Sequence, residues 1–393
     1  MRPSLQSKRP FGRHGGPRPR LIAATAGALA AGALALALGT GAAGAQRGSH
    51  AAHKAHKVRA NHRSRASIPA QAGEGSEASQ AAPLGTAGAQ SSGDAGHALF
   101  RLDANKHFDR FSSDGGFIVS HVDVVKAYPP FGNRYVQYGK PVIGYHDPAT
   151  EGYAPLGQPQ IERFVAIVKR DIANGYAGVF VDDANWSYNP SPGPEANLAN
   201  LLEAIRKAEP NALIEINSQY HDIWPKMKVG DANVARALAQ VNLVTKEFGV
   251  GPDANITTGR DYGELLEYAD ALREKGVHLV MAGDEHARAV PVEEYNQATC
   301  LLVNDGGDYV NASRPRPHRF WKGFEVDLGS ALGPRERSSS GLWTRKFSGG
   351  AVYTVEPGAP TQTVTLGRRM HSAEWGNVNS ITLSAGQGAV LAG

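Results

Sequence analysis

Cysteine is almost absent from this chain: Cys300 stands alone among 393 residues. No intramolecular disulfide can form, and a structural zinc site built from cysteines is excluded. Two motifs are missing as well. No Gly-x-Gly-x-x-Gly turn follows the first apolar run of the body, so a dinucleotide-binding fold lacks its signature. No Gly-x-Ser-x-Gly elbow occurs, and Ser218 in Ile216-Asn-Ser-Gln-Tyr220 lacks flanking glycines, which argues against a serine hydrolase. Acidic side chains are missing from residues 1–66, which carry 12 Lys and Arg. The rest of the chain holds 29 basic against 37 acidic residues, so the formal net charge of +4 belongs to the tail. An acidic body argues against a domain that grips a phosphate backbone, and no nucleic-acid partner is expected.

With 41% hydrophobic and 20% charged residues, the composition is that of a globular protein with room for one large domain or two modest ones. The first 45 residues are set apart. Arg2, Lys8, Arg9, Arg13, Arg18 and Arg20 precede an uncharged run from Leu21 to Ala45 that ends in Ala43-Gly44-Ala45. Basic start, apolar middle and small-x-small end predict a secretory signal peptide over residues 1–45. The run is also long enough for an uncleaved signal anchor. Either way the body is expected outside the cytoplasm. No Arg-Arg pair supports a twin-arginine signal. Residues 46–97 lack apolar periodicity and read as a disordered linker, a candidate membrane or cell-wall tether. Its His50, His53, His56 and His62 belong to a solvated basic segment rather than to a metal site.

From Leu99 onward short apolar runs alternate with amphipathic stretches. Eight runs are expected as strands: Leu99–Leu102, Phe117–Ser120, Pro141–Tyr145, Gly178–Asp182, Ala212–Ile216, Val241–Thr245, Val277–Met281 and Thr299–Val303. Between them, Ile161–Asn174, Asn197–Ala208 and Tyr262–Lys275 show helical spacing, the last closed by Gly276. This order predicts an α/β fold, a (β/α)8 barrel over residues 98–320, with an open doubly wound sheet as the alternative. After Arg319 short strands split by Gly, Ser and Pro predict a small antiparallel β-sandwich module over 321–393.

The active site of such a barrel lies where the strands end. The strand-end residues here are Tyr145-His146-Asp147, Asp182-Asp183-Ala184-Asn185-Trp186, Asn217, Glu247, Asp284 and Asn304-Asp305. Acids, amides and aromatics on one rim suit a sugar, whose hydroxyls bond carboxylates and amides and whose apolar faces stack on rings. Period-two alternation turns Glu215 and Asn217 into the barrel, together with His278, Val280, Ala282 and Asp284, and turns Lys246 away. Asp147, before Pro148, reads as a turn residue. Asp182 and Glu247 end apolar strands, where a carboxylate is costly to desolvate without a chemical reason.

Gly178-Val-Phe-Val-Asp-Asp-Ala-Asn-Trp186 resembles the strand-4 motif of a group of (β/α)8 glycoside hydrolases that carry a C-terminal β-module. More distantly it is similar to the endo-α-1,4-polygalactosaminidase family, whose motif is Gly-x-φ-φ-Asp-Asn/Asp, φ being apolar. Trp321-Lys-Gly-Phe-Glu-Val-Asp-Leu-Gly329, Arg345-Lys-Phe347 and Gly350-Ala-Val352 look like the barrel-to-sandwich passage of the same group. The resemblance implies Asp182 as nucleophile and Glu247 as acid/base. Around them Asp183, Trp186, Tyr145, His146, Asn217 and Asp284 are expected to bind substrate. One departure is that Ala184-Asn185-Trp186 stands where polygalactosaminidases carry a further acid. The expectation is a secreted or surface-tethered glycoside hydrolase that cleaves a polysaccharide with retention and needs no metal or organic cofactor. The alternatives are a non-catalytic carbohydrate-binding barrel of the cell envelope and a wall-associated scaffold acting through its tether.

Overall fold

A computed structural model describes residues 95–104, 115–153, 156–184, 194–218, 220–251, 254–283, 290–311 and 321–393. All of them lie in one of the two units into which the chain divides, Ala78–Gly393. The expected signal segment and all but the last few residues of the expected tether fall outside the described residues, as do Trp186 and Asp284.

Eight parallel strands close into a barrel in chain order. They are β1 (Leu99–Ala104), β2 (Val124–Ala127), β3 (Val142–His146), β4 (Gly178–Val181), β5 (Leu213–Asn217), β6 (Leu243–Lys246), β7 (His278–Ala282) and β8 (Tyr309–Asn311), which pairs back onto β1. The helices between them are α1 (Gly115–His121), α2 (Asn133–Val136), α3 (Gln158–Ala173), α4 (Pro194–Ala208), α5 (Tyr220–Lys228), α6 (Ala232–Leu238), α7 (Gly259–Arg273) and α8 (Val290–Val303). Spacing explains them. Ile161, Phe164 and Val168 form the buried stripe of α3, whose first turn carries Pro159. Thr258 and Asp261 close a capping box at the start of α7, and Gly276, at φ 72°, takes the left-handed turn that ends it. Val179, Val181, Ile214, Ile216, Leu279 and Met281 face the helices, whereas Val124, Ile143 and Phe180 form a separate cluster inside the barrel.

Two expected strands are corrected. Phe117–Ser120 belongs to α1, and the second strand is Val124–Ala127. A four-residue apolar run has no period that separates strand from helix, and the true strand is interrupted by Lys126. Thr299–Val303 is the end of α8, and the eighth strand is the three-residue Tyr309–Asn311. From Tyr295 to Val303 α8 is buried on every side, so it lacks the polar face by which a surface helix is recognised. Asn304 and Asp305 therefore sit on the loop entering β8. There Asp305 lies beside His278, the first residue of β7, at the end opposite the strand termini.

The C-terminal residues form β9 (Glu336–Arg337), β10 (Leu342–Phe347), β11 (Gly350–Val355), β12 (Gln362–Ser372), β13 (Gly376–Leu383) and β14 (Gln387–Ala392), in the order β13-β12-β14-β11-β10-β9. All their pairings are antiparallel. The β12–β13 hairpin joins β14 at the single pair His371–Ala392. It closes a small second core of Val355, Leu366, Met370, Ile381, Leu383 and Leu391. The other face packs on α8. Gly388 is required there, because a Cβ would stand 2.9 Å from that of Ala298. Arg345 reaches from β10 to cap α8, donating to the carbonyls of Leu301 at 2.9 Å and Asn304 at 2.7 Å.

Glu294 of α8 is buried in this junction. One of its oxygens accepts from the Val390 amide at 3.1 Å and the Ser372 hydroxyl at 3.3 Å. Burial pushes its carboxyl up from an ordinary 4.5 to about 7. The folded state then holds a proton that the unfolded chain releases, so this contribution is full below about pH 4.5 and is lost as pH rises to about 7. At about 1.4 kcal/mol per pH unit the loss is at most about 3.5 kcal/mol. Urea unfolding between pH 4.5 and 8 is expected to show a shallower fall for Glu294→Gln than for the unaltered protein. Equal slopes would remove Glu294 from the account.

Candidate active site

Strand parity carries side chains from β3 to β6 onto one side of the barrel mouth. Inward positions are Ile143 and Tyr145 on β3, Phe180 and then Asp182 on β4, Glu215 and Asn217 on β5, and Thr245 and then Glu247 on β6. Asn217 stands between the two acids. Its Nδ2 donates to Asp182 Oδ1 at 2.8 Å and to Glu247 Oε2 at 3.4 Å. Those two oxygens are thus no farther apart than the sum of the two distances. For this pair of oxygens the bound lies below the about 6.5–9.5 Å by which the carboxyl groups of inverting glycosidases are separated to leave room for a water. Tyr145 donates its hydroxyl to the other oxygen of Asp182. Burial, and then the charge of Asp182, raises the Glu247 carboxyl above its ordinary value, against the Asn217 hydrogen bond.

Both acids are followed by a left-handed residue, Asp183 at φ 46° and Phe248 at φ 61°. Non-glycine residues in this region are strained, and such strain gathers at functional sites. At Asp183 the chain turns off β4, and the next amide, Ala184 N, donates to the Asn217 carbonyl at 3.1 Å, tying the ends of β4 and β5 together. Asp183 itself is half-buried. Desolvation, then the charges of Asp182, Asp147 and Glu247, push its carboxyl up to about 6.

Beneath the mouth lies a charged layer of which the sequence showed only Glu215, turned inward by strand alternation. The fully buried Arg101 guanidinium on β1 pairs with Glu215 and donates to Thr245 Oγ1 at 2.9 Å, with Asp103 Oδ1 2.9 Å from its Nε. Lys126 on β2 is 2.9 Å from Asp103 and stands over the Phe180 ring, 4.1 Å from its centre. Although burial works the other way, the charges of Arg101 and Lys126 hold the Asp103 carboxyl below its usual range. The signal was available in Leu99-Phe-Arg-Leu-Asp-Ala104 and Val124-Val-Lys-Ala127, where charges alternate with apolar residues in buried strands. Tyr128 was also missed. It follows β2, is exposed, and its ring centre lies 4.0 Å from that of Tyr145.

The expected site residues separate into three groups. Asp182, Asp183, Asn217, Tyr145 and Glu247 come together, but Tyr145 bonds the carboxylate by its hydroxyl rather than offering a lone ring face. His146 points the other way, towards α3. Its Nε2 is 2.7 Å from Asp171 and its Nδ1 3.0 Å from Glu151. Against the effect of burial, these two carboxylates hold its proton up to about 9, so it clamps the segment after β3 to the helix layer. Trp186 and Asp284 lie outside the described residues. Asp147 is the turn residue that the sequence implies, accepting from Ala149 N at 2.8 Å and Thr150 N at 3.2 Å.

No protein-family model matches the chain, and no curated protein matches it in sequence. Solved structures do match in shape. The glycoside hydrolase domain of PelA from Pseudomonas aeruginosa is 15% identical with a TM-score of 0.37, over 57% of this chain and 96% of that one. A family 39 glycoside hydrolase from the gut symbiont Bacteroides cellulosilyticus WH2 is 9% identical with a TM-score of 0.46, over 76% and 81%. The deoxyribose phosphate aldolase from Aeropyrum pernix is 10% identical with a TM-score of 0.34, over 56% and 86%. The protein is a closed parallel eight-stranded barrel with an antiparallel C-terminal sheet. Structural neighbours with such barrels include glycoside hydrolases, and at these identities the likeness is one of fold.

Proposed function

We propose that the protein is a glycoside hydrolase that cleaves a polysaccharide with retention of configuration. The observation that carries this reading is the pair Asp182 and Glu247 held around the Asn217 amide. Asp182 attacks the anomeric carbon while Glu247 gives its proton to the departing glycosidic oxygen, leaving a glycosyl ester on Asp182. Glu247, now a carboxylate, takes a proton from water as the water attacks the same carbon, which frees Asp182 and restores the acid. The close spacing supports retention, and the raised Glu247 carboxyl supports its role as the acid. Tyr145 and Asn217 fix the plane of the Asp182 carboxylate, and Tyr128 offers the exposed ring for a sugar face. The basic start, apolar run and Ala-x-Ala end support action outside the cytoplasm, with residues 46–97 as a tether.

The test is release of reducing ends from α- and β-linked polysaccharides by the purified protein. Galactosaminogalactan belongs on the panel because of the resemblance to polygalactosaminidases. Release from at least one polymer is expected, and proton NMR in the first minutes should show the anomer of the substrate. No release combined with binding to a polymer would replace the hydrolase by a carbohydrate-binding barrel.

A further inference from the structure

The charged layer beneath the mouth has two levels. Arg101 and Glu215 form the lower one, and the side chains of both are 0% exposed. Asp103 and Lys126, register partners on β1 and β2, form the upper one, and their side chains are 26% and 15% exposed. Asp103 follows Arg101 by two residues on the same strand face, so the upper level is the one nearer the strand ends, where Asp182 and Glu247 stand. The guanidinium and the ammonium offset the two carboxylates, which leaves the layer without net charge. The lower level is closed to solvent and serves the fold. The upper level opens on the mouth.

Lys126 has more donors than its partners use. Its Nζ lies 2.9 Å from Asp103 Oδ2 and 4.1 Å from the centre of the Phe180 ring, so the carboxylate takes one N–H and the ring covers one side of the ammonium. Among the described residues no other group accepts from it. Asn311, the last residue of β8, bonds the same Asp103 carboxylate from the other flank of β1. A lysine inside a barrel loses much of its hydration, a cost that a methionine of similar length would not bring. A partly dehydrated ammonium with a spare donor calls for an acceptor that the protein does not supply. The neighbours say where. Phe180 precedes Asp182 by two residues on the inward face, about 6.6 Å along the strand. The ammonium is 5.9 Å from the centre of the Tyr145 ring, whose hydroxyl bonds Asp182. A sugar whose anomeric carbon meets Asp182 lies within reach of Lys126. Charge narrows the chemistry of the acceptor. A sugar ammonium would meet the charge of the lysine itself, and a sugar carboxylate would meet Asp103 and Asp182. A hydroxyl oxygen meets neither obstacle, and its bond to a charged donor is stronger than one between neutral groups.

We infer that Lys126 is a substrate-binding residue of the barrel mouth: its Nζ donates to a hydroxyl oxygen of the sugar that Asp182 attacks, while Asp103 and Asn311 hold the ammonium in place. This rests on the glycosidase reading of the site. It adds a contact from β2, across the lumen from the β3–β6 side that carries the two acids, and it makes the sugar in that subsite one with a free hydroxyl facing β2.

The decisive variant is Lys126→Met, which keeps the stem and removes the donor. Amylose, dextran, laminarin and galactosaminogalactan are offered first to the unaltered protein, and kcat/KM is then followed against pH on each polymer that it cleaves. The pH-independent maximum should fall by about 10–100-fold in Lys126→Met. The position of the profile gives a second readout. The charge of Lys126 works on the Glu247 carboxyl against burial and Asp182, drawing it down. Its removal should move the alkaline limb to higher pH, because Glu247 then keeps its proton longer, whereas a change in packing alone leaves the limb in place. Melting curves check folding, and Lys126→Gln, polar and uncharged, gives the same comparison should Lys126→Met be unstable. An unchanged maximum with a displaced limb would show that Lys126 acts on Glu247 and not on the sugar, and would overturn the inference. A lowered maximum with an undisplaced limb and a lower melting temperature would make Lys126 a packing residue and overturn it as well. No release from any polymer by the unaltered protein would defeat the glycosidase reading itself and this inference with it, an outcome seen before any substitution is made.

Discussion

Asp182→Asn is expected to lower glycan hydrolysis on the order of 10⁴-fold or more, and Glu247→Gln by about 10²–10⁴-fold. The two losses should differ in kind. Without its acid the enzyme still forms the glycosyl ester from aryl glycosides whose leaving group departs unaided, so Glu247→Gln should retain much of its first step on such substrates. Azide should then rescue Glu247→Gln by taking the place of the unactivated water, giving a glycosyl azide of retained configuration. With Asp182→Asn, azide attacks the substrate directly and the product is inverted. Asp183→Asn is the necessary comparison. Asp182 continues the inward parity of Phe180 and accepts from Tyr145 and Asn217, whereas Asp183 leaves the strand at a positive φ. Full activity in Asp182→Asn with none in Asp183→Asn would sink the assignment of Asp182 and move the nucleophile by one residue.

Arg101→Met is expected to cost about 3–5 kcal/mol of stability, because it leaves Glu215 buried without its counter-charge. Against a usual total of about 5–15 kcal/mol, the urea midpoint should fall by about a fifth or more. A further change, Arg101→Met with Glu215→Leu, removes both charges and should recover most of that loss, since an apolar pair of similar volume often replaces a buried ion pair at little cost. Asp103 keeps Lys126 in every case. A single variant within about 1 kcal/mol of the unaltered protein would show that the Arg101–Glu215 pair contributes little beyond the space it fills.

Inside the barrel, what could be read in advance depended on local periodicity. On β5, alternating residues told which side chains face the lumen, and Glu215 and Asn217 do. The same parity turns Lys246 outward, where its ammonium donates to the Glu247 carbonyl at 2.7 Å and the Ala254 carbonyl at 3.3 Å. Periodicity gave no help where an element is buried all round, as in α8, or very short, as in β8. Nor did it help where a strand is broken by a charge whose partner lies far along the chain. Arg101 is separated from Glu215 by 114 residues, and no window of sequence holds both.

The sequence by itself determined the alternation of strands and helices, the change to short β-strands after Arg319, and the placing of Asp182, Asn217 and Glu247 at strand ends, because each follows from the spacing of apolar residues within one segment. Only the tertiary structure decided that Asn217 bridges the two acids, that the Tyr145 hydroxyl rather than its ring serves Asp182, and that His146 belongs to the helix layer. Each of these is a contact between distant segments, set by the closure of the barrel, and therefore by geometry that no single segment encodes.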